Sequence, residues 1–93
     1  MAVIKGTVYI CQGEERRPLG VGSCVLLLRN EGSSGTISMR EWAVPPQEAN
    51  LLDDLCAIQF QDGRTAQVKF TKYTATGCGP EVLRFALRGP LRP

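Results

Sequence analysis

The feature that most constrains the fold is a pair of alternating runs within residues 55–73, joined at Gln61-Asp62-Gly63. Cys56, Ile58 and Phe60 are apolar in the first run, and Gln59 and Gln61 are polar. Ala66, Val68 and Phe70 are apolar in the second, and Gln67, Lys69 and Thr71 are polar. Period-two alternation is the mark of a half-buried strand, because successive side chains point to opposite faces. Asp-Gly between two such runs signals a hairpin. Parity then selects the loop. A two-residue loop at Asp62-Gly63 would set each apolar side chain opposite a polar one, which burial of one face penalises. A three-residue loop instead sets Ile58 opposite Ala66 and Cys56 opposite Val68. It needs a type I turn followed by Gly63 in the left-handed region, which glycine occupies at low cost.

Four further strands fit around this hairpin. Residues 2–11 carry Ile4, Val8 and Ile10 on one face and Lys5 and Thr7 on the other, and Gly6 is expected to mark a bulge or bend. The charged turn QGEERRP leads into residues 19–30, which open on Gly20 and Gly22 and become continuously apolar over 24–28. Such a run predicts a central strand buried on both faces, coiled sharply at its glycines. In residues 36–44, Ile37 and Met39 share a face, and the apolar phase then slips to Trp42 and Val44. The slip predicts a bulge or strand end near Arg40-Glu41. Pro45-Pro46 stops the strand, and residues 47–54 are the only helical candidate, one or two turns at most. Residues 81–88 form the last strand, with Leu83, Phe85 and Leu87 inward and Arg84, Ala86 and Arg88 outward. Residues 89–93, GPLRP, read as an extended tail that cannot join a regular ladder, either a frayed end or a polyproline-type ligand. The prediction is one all-β domain: a small antiparallel six-stranded barrel or sandwich.

Composition narrows the function. A chain of 93 residues buries one small core. No apolar run approaches the length of a membrane span, and Lys5 interrupts the apolar N-terminus, so a soluble, cytoplasmic protein without membrane contact is expected, with a mature secreted chain as the alternative. The four cysteines are far apart and form no C-x-x-C pair. Free thiols are therefore expected ahead of disulfides or a four-cysteine metal site. The chain contains no histidine, which removes Ser-His and Cys-His nucleophile pairs and the commonest metal ligand. No enzyme, cofactor, metal or small-molecule substrate is expected.

Charge is uneven along the chain. Residues 1–63 hold five basic and eight acidic side chains, a net −3; residues 64–93 hold six basic and one acidic, a net +5, which together give the overall +2. Lys69 and Thr71 are expected on the outer face of the fifth strand with Lys72 at its end, and Arg84 and Arg88 on the outer face of the sixth. If those strands are neighbours, their cations form one patch beside Tyr73. Trp42 before Pro45-Pro46 either lines a peptide groove or caps the core. Cys78 between two glycines lacks a base to activate it. Glu48, Asp53 and Asp54 lack calcium-loop spacing. The leading expectation is a non-catalytic interaction module, an adaptor, inhibitor or subunit. It would bind a protein partner through Lys69, Lys72, Tyr73, Arg84, Arg88 and Trp42, or through a strand edge. The alternative is a nucleic-acid-binding barrel using the same cations, and the third is a homo-oligomer formed by edge pairing.

Overall fold

A computed structural model describes the chain except for Met1, Pro46, Gln47, Ala49, Asp53, Asp54, Thr76 and Cys78. Six strands form in chain order: β1 (Ala2–Gln12), β2 (Arg17–Leu28), β3 (Ser34–Trp42), β4 (Cys56–Phe60), β5 (Thr65–Thr74) and β6 (Val82–Leu87). They close into a barrel in the order β1-β2-β3-β6-β5-β4, with every neighbouring pair antiparallel. β1, β2 and β3 are consecutive neighbours, and β4 returns after a long connection to lie beside β1. This is a Greek-key arrangement. It settles the choice between barrel and sandwich.

The β4–β5 hairpin has the register that parity requires, with Ile58 paired to Ala66 and Cys56 to Val68. Phe60 N–H donates to the Arg64 carbonyl at 2.8 Å, and Gly63 N–H donates to the Phe60 carbonyl at 3.0 Å. Gly63 has φ 99°, and Asp62 is not among the residues with positive φ. The loop therefore spans three residues. Arg64 also binds Asp62 at 2.8 Å, and hydrogen bonding from the Arg64 backbone, aided by its side chain and charge, holds the Asp62 carboxyl below its ordinary pKa. The slip in β3 is a bulge as well: Gly22 pairs with Met39 and Val21 with Glu41, leaving Arg40 as the extra residue.

Val8, Leu26, Ile37, Ile58, Val68 and Leu83 are fully enclosed, and Phe70 and Phe85 meet edge-to-face with centroids 6.3 Å apart. The strands approach closely over inward-facing glycines. A Cβ on Gly22 would stand 2.6 Å from the Ser38 carbonyl oxygen, and one on Gly35 would stand 2.8 Å from the Phe85 ring. Val44 and Leu51, from the β3–β4 connection, pack against this core.

Several expectations need correction. The apolar run of β2 is not buried on both faces: Leu26 is 0% exposed but Val25 is 38% exposed. The strand alternates like its neighbours, with apolar residues also on its outer side. Gly6 marks no bulge; the β1–β2 register shifts farther along, where Leu19 is skipped between Pro18 and Gly20. The tail does not fray, because Arg92 and Thr65 exchange backbone hydrogen bonds of 2.7 and 2.8 Å and Leu91 packs on the core. No α-helical residue occurs among the described part of 47–54, and Gln47, Ala49, Asp53 and Asp54 lie outside the described residues.

Candidate functional site

β5 and β6 are neighbours, so Lys69, Lys72, Arg84 and Arg88 share a face, while Arg64 lies at the hairpin turn and Arg92 in the tail. The register is not simple. Phe70 pairs with Phe85, whereas Lys72 pairs with Arg84, so Thr71 is an extra residue in β5. Its hydroxyl donates to the Arg84 carbonyl at 3.4 Å. The bulge puts Lys72 directly opposite Arg84, with both side chains exposed. Directly opposed residues hold their Cβ atoms about 5 Å apart, and like charges so placed are destabilising. Lys69 is exposed opposite Ala86, which sets it diagonal to both Arg84 and Arg88. Arg88 continues the β5–β6 ladder past the end of β6 by donating its N–H to the Gln67 carbonyl at 2.9 Å.

Following the ladders across the barrel gives two outward rows. One runs Lys72, Arg84, Thr36, Val25, Lys5; the other runs Lys69, Ala86, Ser34, Leu27, Val3. Neither row contains a carboxylate. Among the described residues the ion pair present is Asp62–Arg64, which lies at the hairpin turn and outside these rows. Between the cations and the apolar end lies a groove of about 340 Å³, lined by Val25, Leu27, Ser34, Thr36, Thr71 and Arg84. Val25, Leu27, Val3 and Lys5 extend the face beyond the residues expected from sequence. The unbroken apolar run of residues 24–28 carries the signal for Val25 and Leu27, but such a run reads equally as a strand buried on both faces.

The two aromatic residues go elsewhere. The same bulge turns Tyr73 away from the cationic face. It pairs with Leu83 and meets Trp42 edge-to-face, with centroids 6.0 Å apart. Trp42 Nε1–H donates to the Glu81 carboxylate. Burial, then the hydrogen bond and charge of Glu81, push the Tyr73 phenol above its ordinary pKa. Trp42 and Tyr73 both pack against the core. This trio closes one end of the barrel, so Tyr73 is not beside the cations and Trp42 is separated from them by the sheet.

The remaining candidates are thinner. Cys11 and Cys24 carry free thiols, and burial pushes the Cys24 pKa up to about 12, which keeps it protonated and inert near neutrality. Cys78 lies outside the described residues. No cluster of three or more metal-ligating side chains occurs among the described residues, and none of their helices is long and apolar enough to cross a membrane. A second groove of about 410 Å³, lined by Tyr9, Pro18, Val21 and Trp42, carries both Arg16 and Glu41. It has no single charge preference. Comparison with protein-family models, with curated proteins and with solved structures finds no match for this chain.

Proposed function

We propose that this protein is a non-catalytic interaction module that binds an acidic segment of a partner protein on the outer face of β5, β6, β3 and β2. The observation that carries the reading is the opposed pair Lys72–Arg84. Two cations placed face to face without a carboxylate cost stability in the free protein, and an anionic partner relieves that cost. Lys69 and Arg88 extend the cationic area, and Val25 and Leu27 offer apolar contact beside it. The apolar floor favours a protein over nucleic acid. So does the withdrawal of Tyr73 and Trp42 into the barrel end, since base stacking needs an exposed aromatic platform.

The test is affinity capture from the native cells with the tagged protein, with and without nuclease. The double variant Lys69→Glu with Arg84→Glu serves as the control. A partner retained after nuclease, lost with the double variant and released by moderate salt is the expected result. Recovery that vanishes with nuclease would transfer the same cations to nucleic-acid binding. A partner held equally well by the double variant would overturn the proposed face.

A further inference from the structure

The barrel closes through its shortest strand. β4 has five residues, and β1 pairs with it only from Val8 to Gln12. Residues 2–7 of β1 pair with β2 on one side and extend past the β4–β5 turn on the other. The direction of the free groups follows from strand alternation. Gly13 N–H donates to the Leu55 carbonyl at 3.0 Å, so Gly13 faces the β4 side. Backbone groups alternate along a strand, so Cys11, Tyr9, Thr7, Lys5 and Val3 face the same side. The register shift near Ile10 skips a residue of β2, not of β1, and leaves this phase intact. Among the described residues, no backbone hydrogen bond reaches Val3, Lys5 or Thr7 from that side.

Side chains along this edge also alternate. Val3 and Lys5 are exposed on the outside, next to Leu27 and Val25 of β2. Ile4 lies on the inner side against the core, and a Cβ on Gly6 would stand 3.5 Å from the Phe60 ring. An added strand would therefore meet a cation on its outer side and apolar surface on its inner side.

We infer that the acidic partner segment docks by strand addition along residues 2–7, as an extended stretch in which carboxylates facing Lys5 alternate with apolar residues facing Ile4 and Phe60. This rests on the proposed acidic-partner reading and adds a second contact to it, at the Lys5 end of the row that runs Lys72, Arg84, Thr36, Val25, Lys5 and away from the Lys72–Arg84 pair. Main-chain hydrogen bonds supply affinity in such pairings, and alternate side chains supply specificity. The Lys5 charge on the outer side and Ile4 and Phe60 on the inner side select an acidic, half-apolar strand over a neutral one.

The probe is a short peptide alternating glutamate and valine, with a control of the same composition in which the glutamates and valines are in separate blocks. Titration followed by amide hydrogen exchange should show new protection at Val3, Lys5 and Thr7 with the alternating peptide alone. Val3→Pro removes an edge donor without touching the β1–β2 ladder or any charge, and should weaken binding about tenfold, the loss of roughly one backbone hydrogen bond and its neighbours. Saturating peptide without protection at those amides overturns strand addition, whether or not the proline variant folds. If Lys69→Glu with Arg84→Glu abolishes peptide binding while Val3→Pro leaves it unchanged, the cationic face stands and the edge falls. If no acidic peptide binds the unaltered protein, both fall. Protection that appears without peptide and tracks a dimer in sedimentation would assign the edge to a second copy of the chain and overturn the acidic-strand occupant.

Discussion

The Trp42–Tyr73–Glu81 cluster and the Lys69–Lys72–Arg84 face lie on the two sides of one sheet, and they treat charge in opposite ways. In the cluster, the single carboxylate accepts from Trp42 Nε1–H and acts on the Tyr73 phenol, and the rings pack on the core. On the outer face, Lys72 and Arg84 confront each other with no carboxylate in their row. Lys72 and Tyr73 are adjacent in the chain, and the bulge at Thr71 sets the register that sends them to opposite sides. A closed set of partners marks a group that serves the fold. An exposed, unrelieved juxtaposition marks a group available to something else.

That contrast can be broken by mutation, starting with the largest effect. Trp42→Ala should destabilise the protein by about 3 kcal/mol, the lower range for removing a large aromatic from a core, because Trp42 is only partly buried. Urea denaturation followed by circular dichroism measures it, and a loss near zero would make Trp42 a surface group free for binding.

A second, intermediate test uses pH. Tyr73 has a folded pKa above its unfolded value, chiefly through burial and then through Glu81. The neutral phenol is thus favoured by folding. The stability linked to it is fully present below the ordinary phenol pKa near 10.0 and is lost as pH rises through the folded value. Glu81→Gln removes the charge while keeping an acceptor. It should bring the Tyr73 titration part of the way back, since burial remains, and it should flatten the alkaline fall in stability. Phenolate absorbance and melting temperature above that pH read the two effects. Cys24, raised to about 12 by burial, contributes the same alkaline slope to both proteins and cancels in the comparison.

The smallest effect belongs to the outer face. Lys69→Glu with Arg84→Glu should leave stability unchanged or raise it by about 0.5 kcal/mol, because Arg84→Glu replaces the like-charge pair with Lys72 by an opposite-charge one at an exposed site. A loss as large as that of Trp42→Ala would make these cations part of the fold and remove the contrast.

Local alternation in the sequence already carries much of this. Alternation in residues 56–70, together with Asp62-Gly63, gave the hairpin, its three-residue loop and its register. The phase slip after Met39 pointed to a bulge or strand end near Arg40-Glu41, and the β2–β3 register makes it a bulge at Arg40. These are local consequences of a strict two-residue period, in which one misplaced residue exposes a whole face. The outward placement of Lys69, Arg84 and Arg88 follows from the same parity.

The remainder needed the closed barrel. The bulge at Thr71 leaves no trace in a run reading Lys69-Phe70-Thr71-Lys72-Tyr73, because polar residues at both Thr71 and Lys72 fit either phase. The pairing of β5 with β6 decides it, and with it the fates of Tyr73 and Lys72. The apolar run of β2 reads as buried because a sequence counts hydrophobic residues without knowing what covers them. Only the tertiary structure shows that nothing among the described residues packs over the outer side of Val25. The tail could not be placed either, since its two hydrogen bonds to Thr65 join residues distant in the chain. The sequence by itself therefore determined the strands, the inner face of residues 56–70 and the central loop, all set by neighbours a few residues apart. Which strands adjoin and where the β5 bulge falls were decided by barrel closure, which brings together residues that no local period relates.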